Sequence, residues 1–152
     1  MRARHFTRRA WLFALATLIA AATLPPSRGA TQATLVAIVH PSNPVSSMSL
    51  ADVRNIYLGR VTFWRNNVPV QAYARPASSP AGREFLRILG MTPSRFRHHW
   101  QTRQLSGQGV APAIINGFDE LANRIAGSRG GIGVAMQGEG SASARVKLVP
   151  IR

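Results

Sequence analysis

Arg75, Ser78 and Ser79, followed at once by Pro80, are the residues of this sequence whose types and spacing could hold an anion. A serine directly before a proline reads as a helix N-cap and first helical residue. Proline's fixed φ suits that position, and its missing N–H would find no partner there in any case. Downstream, Phe85, Leu86, Ile88 and Leu89 repeat at spacings of three and four and predict a helix. Upstream, Val68, Val70, Ala72 and Ala74 alternate with Pro69, Gln71 and Tyr73 and predict a strand. Arg75 then stands at a strand end, facing a hydroxyl-rich helix start. A guanidinium, hydroxyls and free backbone N–H groups converging on one point are what an oxyanion needs. So placed, Arg75 would face its ligand and support little of the core. An ordinary capped helix beside a solvated arginine gives the same local pattern.

Other chemistries are poorly supplied. His98 and His99 are adjacent, so on a helix they point about 100° apart and cannot grip one metal together. There is no cysteine, which excludes disulfides, thiolate metal sites and thiol nucleophiles. Asp52, Glu84, Asp119 and Glu120 are the candidate acids and bases inside the fold. Asp52 and Asp119 sit where helix caps belong, and Glu84 can pair with Arg83 or Arg87. No G-x-S-x-G, H-E-x-x-H or phosphate-loop pattern occurs, so the sequence predicts no catalysis and no cofactor. Arg95, Arg97, His98, Trp100 and Arg103 make a basic helix with aromatics, a pattern shared with nucleic-acid and lipid binders. Phe96 and Trp100 are better used as core anchors, and an exported protein rarely meets nucleic acid.

The elements that must position Arg75 follow from periodicity. Thr34–His40 is β-branched and apolar and predicts a buried strand. Ser49-Leu50-Ala51-Asp52 resembles a capping box opening a helix with Val53, Ile56 and Tyr57 inward, ended by Gly59. Val61–Trp64 predicts a short strand, and Asn66-Asn67 a turn. Thr92-Pro93-Ser94 caps a helix to about Gln104, with Phe96, His99, Trp100 and Arg103 on one side. Leu105–Pro112 is a Gly-rich loop whose Gly107–Val110 tip could close over a ligand. Phe118, Leu121, Ala122 and Ile125 mark another amphipathic helix, stopped by Gly127. Gly131–Ala135 and Val146–Ile151 predict strands, with Gln137–Ala144 a linker between them. Strands alternating with helices indicate an α/β layered domain.

Residues 1–29 predict export. Arg2, Arg4, Arg8 and Arg9 precede an apolar run over residues 10–24, about 15 residues, short of the roughly 20 that span a bilayer. Ser27 and Gly29 place small residues three and one before a cut ahead of Ala30, and a cut after Ala33 is a second choice. Thr7-Arg8-Arg9-Ala10-Trp11-Leu12 also resembles a twin-arginine signal, the alternative being a general secretory signal that holds two arginines. Removing residues 1–29 leaves about 123 of the 152, enough for one core. The formal charge of +14 loses the five arginines of that segment, 14 less 5, leaving +9. Such an excess favours anionic partners.

Several segments together resemble the phosphate-binding protein of bacterial ABC phosphate transporters, a type II periplasmic binding protein. Val39–Pro44 is similar to that family's strand leading into N-P-x-N-P. Leu50–Arg60, followed by Thr62 and Trp64, is similar to its L-x-x-L-R-x-I-F-L-G-K-x-T-x-W. Gly131-Ile132-Gly133-Val134 is similar to its G-x-I-G-Y. The family's phosphate loop reads R-S-D-G-S-G-T-T-x-x-F, and Arg75–Phe85 aligns with it without a gap. Arg75 then matches the guanidinium ligand, Ser79 the serine and Phe85 the helix phenylalanine. Pro80 replaces a glycine whose N–H would donate, and Ala81 replaces a threonine hydroxyl. A hydrogen bond to a charged group is worth roughly 1.5–3 kcal/mol, so two lost donors imply binding weaker by about two to four orders of magnitude.

The resemblance implies an α/β fold with a central mixed sheet flanked by helices, a single lobe-like domain over residues 30–152. The function it implies is an exported, periplasmic, substrate-binding-like module for a small oxyanion such as phosphate. The ligands would be Arg75, Ser78, Ser79 and the N–H groups of Ala81 and Gly82. A membrane transporter or sensor would be the partner, and two chains could associate to complete a cleft. The competing expectation is the same fold kept as a protein-interaction module with no ligand.

Overall fold

Hydrophobic runs and helix caps set the order of elements. The computed structural model describes residues 34–139 and 145–152; the signal-peptide reading of residues 1–29 lies outside them. The elements are β1 (Leu35–Val39), α1 (Leu50–Tyr57), β2 (Gln71–Ala74), α2 (Pro80–Leu89), α3 (Pro93–Leu105), β3 (Ala113–Ile114), α4 (Phe118–Ala126), β4 (Gly131–Met136) and β5 (Lys147–Pro150).

The five strands form one mixed sheet in the order β3-β2-β4-β1-β5. β1 runs antiparallel to β4, with Ala37 opposite Val134, and antiparallel to β5, with Ala37 opposite Val149. β2 runs parallel to β4 and to β3, with Ala72 opposite Ile132 and Tyr73 opposite Ala113. Alternation sends Ala37, Val39, Ile132 and Val134 to one face, where α1 and α2 supply Val53, Ile56, Tyr57 and Phe85. Ile38, Tyr73 and Ala135 face the other way, onto Leu121 and Ile125 of α4. Gly133 permits that second contact: a Cβ there would come within 2.8 Å of Leu121 Cδ1.

The helix starts are local events, and those of α1, α2 and α3 are read correctly from sequence. Ser49 and Asp52 form a reciprocal capping box on α1, and Thr92 accepts from the Arg95 N–H at the start of α3. The Ser49 backbone N–H and hydroxyl both donate to Asp52, holding its carboxyl below the usual carboxylate range. Asp119 is not a cap: Gly117 takes that place with no side-chain bond, and Asp119 lies in the first turn of α4.

Two stretches differ from the expectation. Residues 61–70 hold a single bridge, Phe63 to Pro69, rather than a strand, and β2 begins at Gln71. Pro69 has no N–H to extend a ladder, and the segment is fixed by a few local backbone bonds, such as Trp64 N–H to Val68 O at 2.8 Å, and by Trp64 Nε1 donating to Gly130 O at 3.0 Å. The two-residue β3 carries no periodicity long enough to read. Among the described residues no helix is long and apolar enough to cross a membrane.

Candidate oxyanion site

β2 ends at Ala74, and the chain reaches α2 within five residues, so Arg75 to Ser79 form one tight connection. β2 and β4 are parallel neighbours, so this connection and the turn after β4 lie at the same edge of the sheet. The carboxyl edge of parallel strands is where open α/β sheets place their ligands.

Arg75 is buried rather than solvated, with 7 % of its area exposed. Its Nη2 donates to Glu139 Oε1 at 2.6 Å, while Nε and Nη1 are shielded from solvent and have no hydrogen-bond partner among the described residues. A guanidinium carries five N–H donors, three of them on those two nitrogens. Arg75 is therefore a buried cation with most of its donors unspent.

Ser79 caps α2 as the Ser-Pro pair predicts. Its hydroxyl accepts the Gly82 N–H at 3.0 Å and donates to Pro76 O at 2.8 Å. The same carbonyl accepts the Ser79 N–H at 2.9 Å. Both the Ser79 hydroxyl and the Gly82 N–H are thus engaged within the chain. Gly82 packs directly on this turn, where a Cβ would overlap Pro76 O. Ser78 is exposed, and its carbonyl accepts from Arg83 Nη1 at 2.5 Å. Ala81 is fully buried with its methyl in the main core, so a hydroxyl at that position would enter apolar packing. Its N–H belongs to the first helical turn, whose donors have no acceptor within the helix. The five sequence-predicted residues thus lie on the β2–α2 connection and the first turn of α2, with different degrees of freedom.

Beside this connection lies a cavity of about 540 Å³, bordered by Arg75, Phe85, Phe96, Trp100 and Gln104. Phe96 and Trp100 point inward from α3, and Trp100 Nε1 donates to Tyr57 O at 3.1 Å. The Gly107–Val110 tip is tied to α3 and the end of α1: Gln108 O and Gly59 O both accept from Arg103 Nη2. His99 Nε2 lies 3.1 Å from Leu58 O, and His98 is exposed. Among the described residues no group of three metal-binding side chains occurs. Glu84 pairs with Arg87 through two contacts of 2.8 and 2.6 Å, and that hydrogen bonding holds its carboxyl below the usual range.

Sequence reasoning missed Glu139, which falls in the stretch assigned to a linker. The signal that could have found it is an acid three residues beyond a buried strand that neighbours β2.

Three solved structures resemble this fold. An ABC-type phosphate transport receptor from Vibrio cholerae matches with a TM-score of 0.60 and 18% identity, over 78% of this chain and 46% of that one. A Clostridium perfringens substrate-binding protein of the phosphate ABC transporter kind, solved with bound phosphate, matches with a TM-score of 0.61 and 20% identity, over 78% and 44%. PstS from Borrelia burgdorferi matches with a TM-score of 0.58 and 12% identity, over 78% and 47%. The fold is that of the type II periplasmic binding proteins. This chain spans less than half the length of each of these structures. No protein-family model and no curated protein matches the sequence.

Proposed function

We propose that this protein is an exported, periplasmic, substrate-binding-like module that holds a small oxyanion of the phosphate kind at Arg75, weakly and without catalysis. The observation that carries this reading is the Arg75 guanidinium itself, buried at the ligand-bearing edge of the sheet with Nε and Nη1 unpartnered among the described residues. Burying such donors without a partner costs stability, and a multi-oxygen anion is what would use them. Ser78 and the Ala81 N–H are the proposed further donors, since neither is engaged by a cap as Ser79 and Gly82 are. Ser79 and Gly82 support the helix start and reach a ligand only by leaving the cap. With Pro80 unable to donate, affinity for phosphate or sulfate is no tighter than about micromolar. A membrane transporter or sensor is the proposed partner, and a second copy of the chain the proposed way to complete a cleft.

A second reading, a ligand-free interaction module, is favoured by one feature. Pro76 O and the Glu139 carboxylate already stand at the helix start and on Arg75, as an anion would. Titration calorimetry separates the two. The first reading expects weak phosphate heat from the wild type, none from Arg75→Ala, and at least about tenfold tighter binding from Pro80→Gly, one added donor's worth. No heat from any of the three proteins up to millimolar phosphate would favour the second.

A further inference from the structure

We infer that Glu139 lowers the affinity of the Arg75 site, because its carboxylate holds Nη2 and an oxyanion that takes this donor as well as Nε and Nη1 must displace it. This rests on the reading of Arg75 as an anion ligand. The contact is 2.6 Å long, the length of a strong charge-assisted hydrogen bond. It uses one carboxylate oxygen and one guanidinium nitrogen. Glu139 therefore takes Nη2 and leaves Nε and Nη1 unspent.

Several features suit Glu139 to leave. Its side chain is 29% exposed against 6% for Arg75, so it can turn to water where the arginine cannot. Its other oxygen accepts the Met136 N–H at 3.1 Å, and its own N–H donates to Met136 O at 2.9 Å. Met136 to Glu139 is thus a self-contained turn, with Gly138 at φ +87° supplying the reversal. The backbone of that turn is anchored on the β1 side, through Gln137 N–H to Thr34 O. The hydrogen bond reaching from it to the β2–α2 connection is the Glu139 side chain. Displacement breaks that link and the Met136 N–H bond to the other carboxylate oxygen, and leaves the backbone–backbone bonds of the turn in place.

The test compares wild type, Glu139→Gln, Glu139→Asp, Arg75→Ala and the Glu139→Gln/Arg75→Ala double variant, by calorimetry with inorganic phosphate. Glu139→Gln should bind about tenfold tighter or more, the worth of one charge-assisted bond no longer broken. Glu139→Asp, which keeps the charge with a shorter reach, should fall between it and the wild type. The double variant should show no gain over Arg75→Ala. Should Glu139→Gln fold poorly alone, the thermal midpoint in millimolar phosphate against equal chloride serves instead, with a larger phosphate shift expected than for wild type. Equal phosphate affinity in wild type and Glu139→Gln, with loss in Arg75→Ala, would overturn the role of Glu139 and leave the Arg75 site standing. No binding by any protein would remove the site itself.

Discussion

Replacing Arg75 by methionine should destabilise the protein less than replacing Glu139 by glutamine, although the two residues form one ion pair. The methionine side chain would fill much of the same space with an unbranched apolar chain. The change removes one charge-assisted bond, worth about 1.5–3 kcal/mol. It also removes two shielded nitrogens that have no partner among the described residues, whose burial costs about 1–3 kcal/mol each. The two nitrogens together return about 2–6 kcal/mol, at least the worth of the lost bond, and Glu139, 29% exposed, can turn to water. A neutral or mildly stabilising change is expected. Glu139→Gln keeps the shape but leaves a guanidinium of 6% exposure with no counter-charge. Breaking a buried pair from one side costs about 3–5 kcal/mol, and the retained amide oxygen reduces this to about 2–4 kcal/mol. The double variant should lie close to Arg75→Met, so the cycle is strongly non-additive. Urea denaturation of the four proteins, checked for equal slopes, measures it. If Arg75→Met costs as much as Glu139→Gln, the guanidinium does not carry the unmet burial cost assigned to it.

Tyr57 is fully buried, its hydroxyl donates to Tyr73 O at 2.7 Å, and burial pushes its phenol well above the usual value. The folded state then resists ionisation while the unfolded state ionises near 10, so stability should fall as pH rises above about 10, by roughly 1.4 kcal/mol per pH unit. Tyr57→Phe should remove that slope in alkaline urea titrations and cost about 1–3 kcal/mol at neutral pH by stranding the Tyr73 carbonyl. Ser49→Ala should cost about 1 kcal/mol in urea denaturation through the lost cap. The depressed Asp52 carboxyl favours folding above its unfolded value near 4, and that contribution should fade as pH drops through its lower folded value, a slope that Asp52→Asn flattens. Gly82→Ala should cost about 1–3 kcal/mol or more, because its Cβ would overlap Pro76 O, whereas Gly117→Ala, with open space around it, should cost only about 0.5–1 kcal/mol, the worth of glycine over alanine at an N-cap.

The sequence by itself determined what depends on residues within a turn of one another. Ser79-Pro80, Thr92-Pro93 and the Ser49–Asp52 box start helices because each cap reaches a backbone N–H three positions on. The 3.6-residue period turned Phe96, His99, Trp100 and Arg103 inward on α3, as their partial or full burial shows. The proximity of Arg75 to the start of α2 was legible for the same reason, since only five residues separate strand from helix. Tertiary structure decided the rest. The order β3-β2-β4-β1-β5 makes β4 the parallel neighbour of β2, and no local pattern encodes that choice. That placement brings Glu139 to Arg75 across 64 residues of chain and makes Arg75 a buried, under-satisfied cation. Tertiary packing also puts the Ala81 methyl in the core, whereas the Ser79 hydroxyl and the Gly82 N–H are engaged by bonds local to the connection. Local hydrogen bonds are fixed by short loops of small entropy, whereas an ion pair between distant turns exists only once the sheet has set both ends.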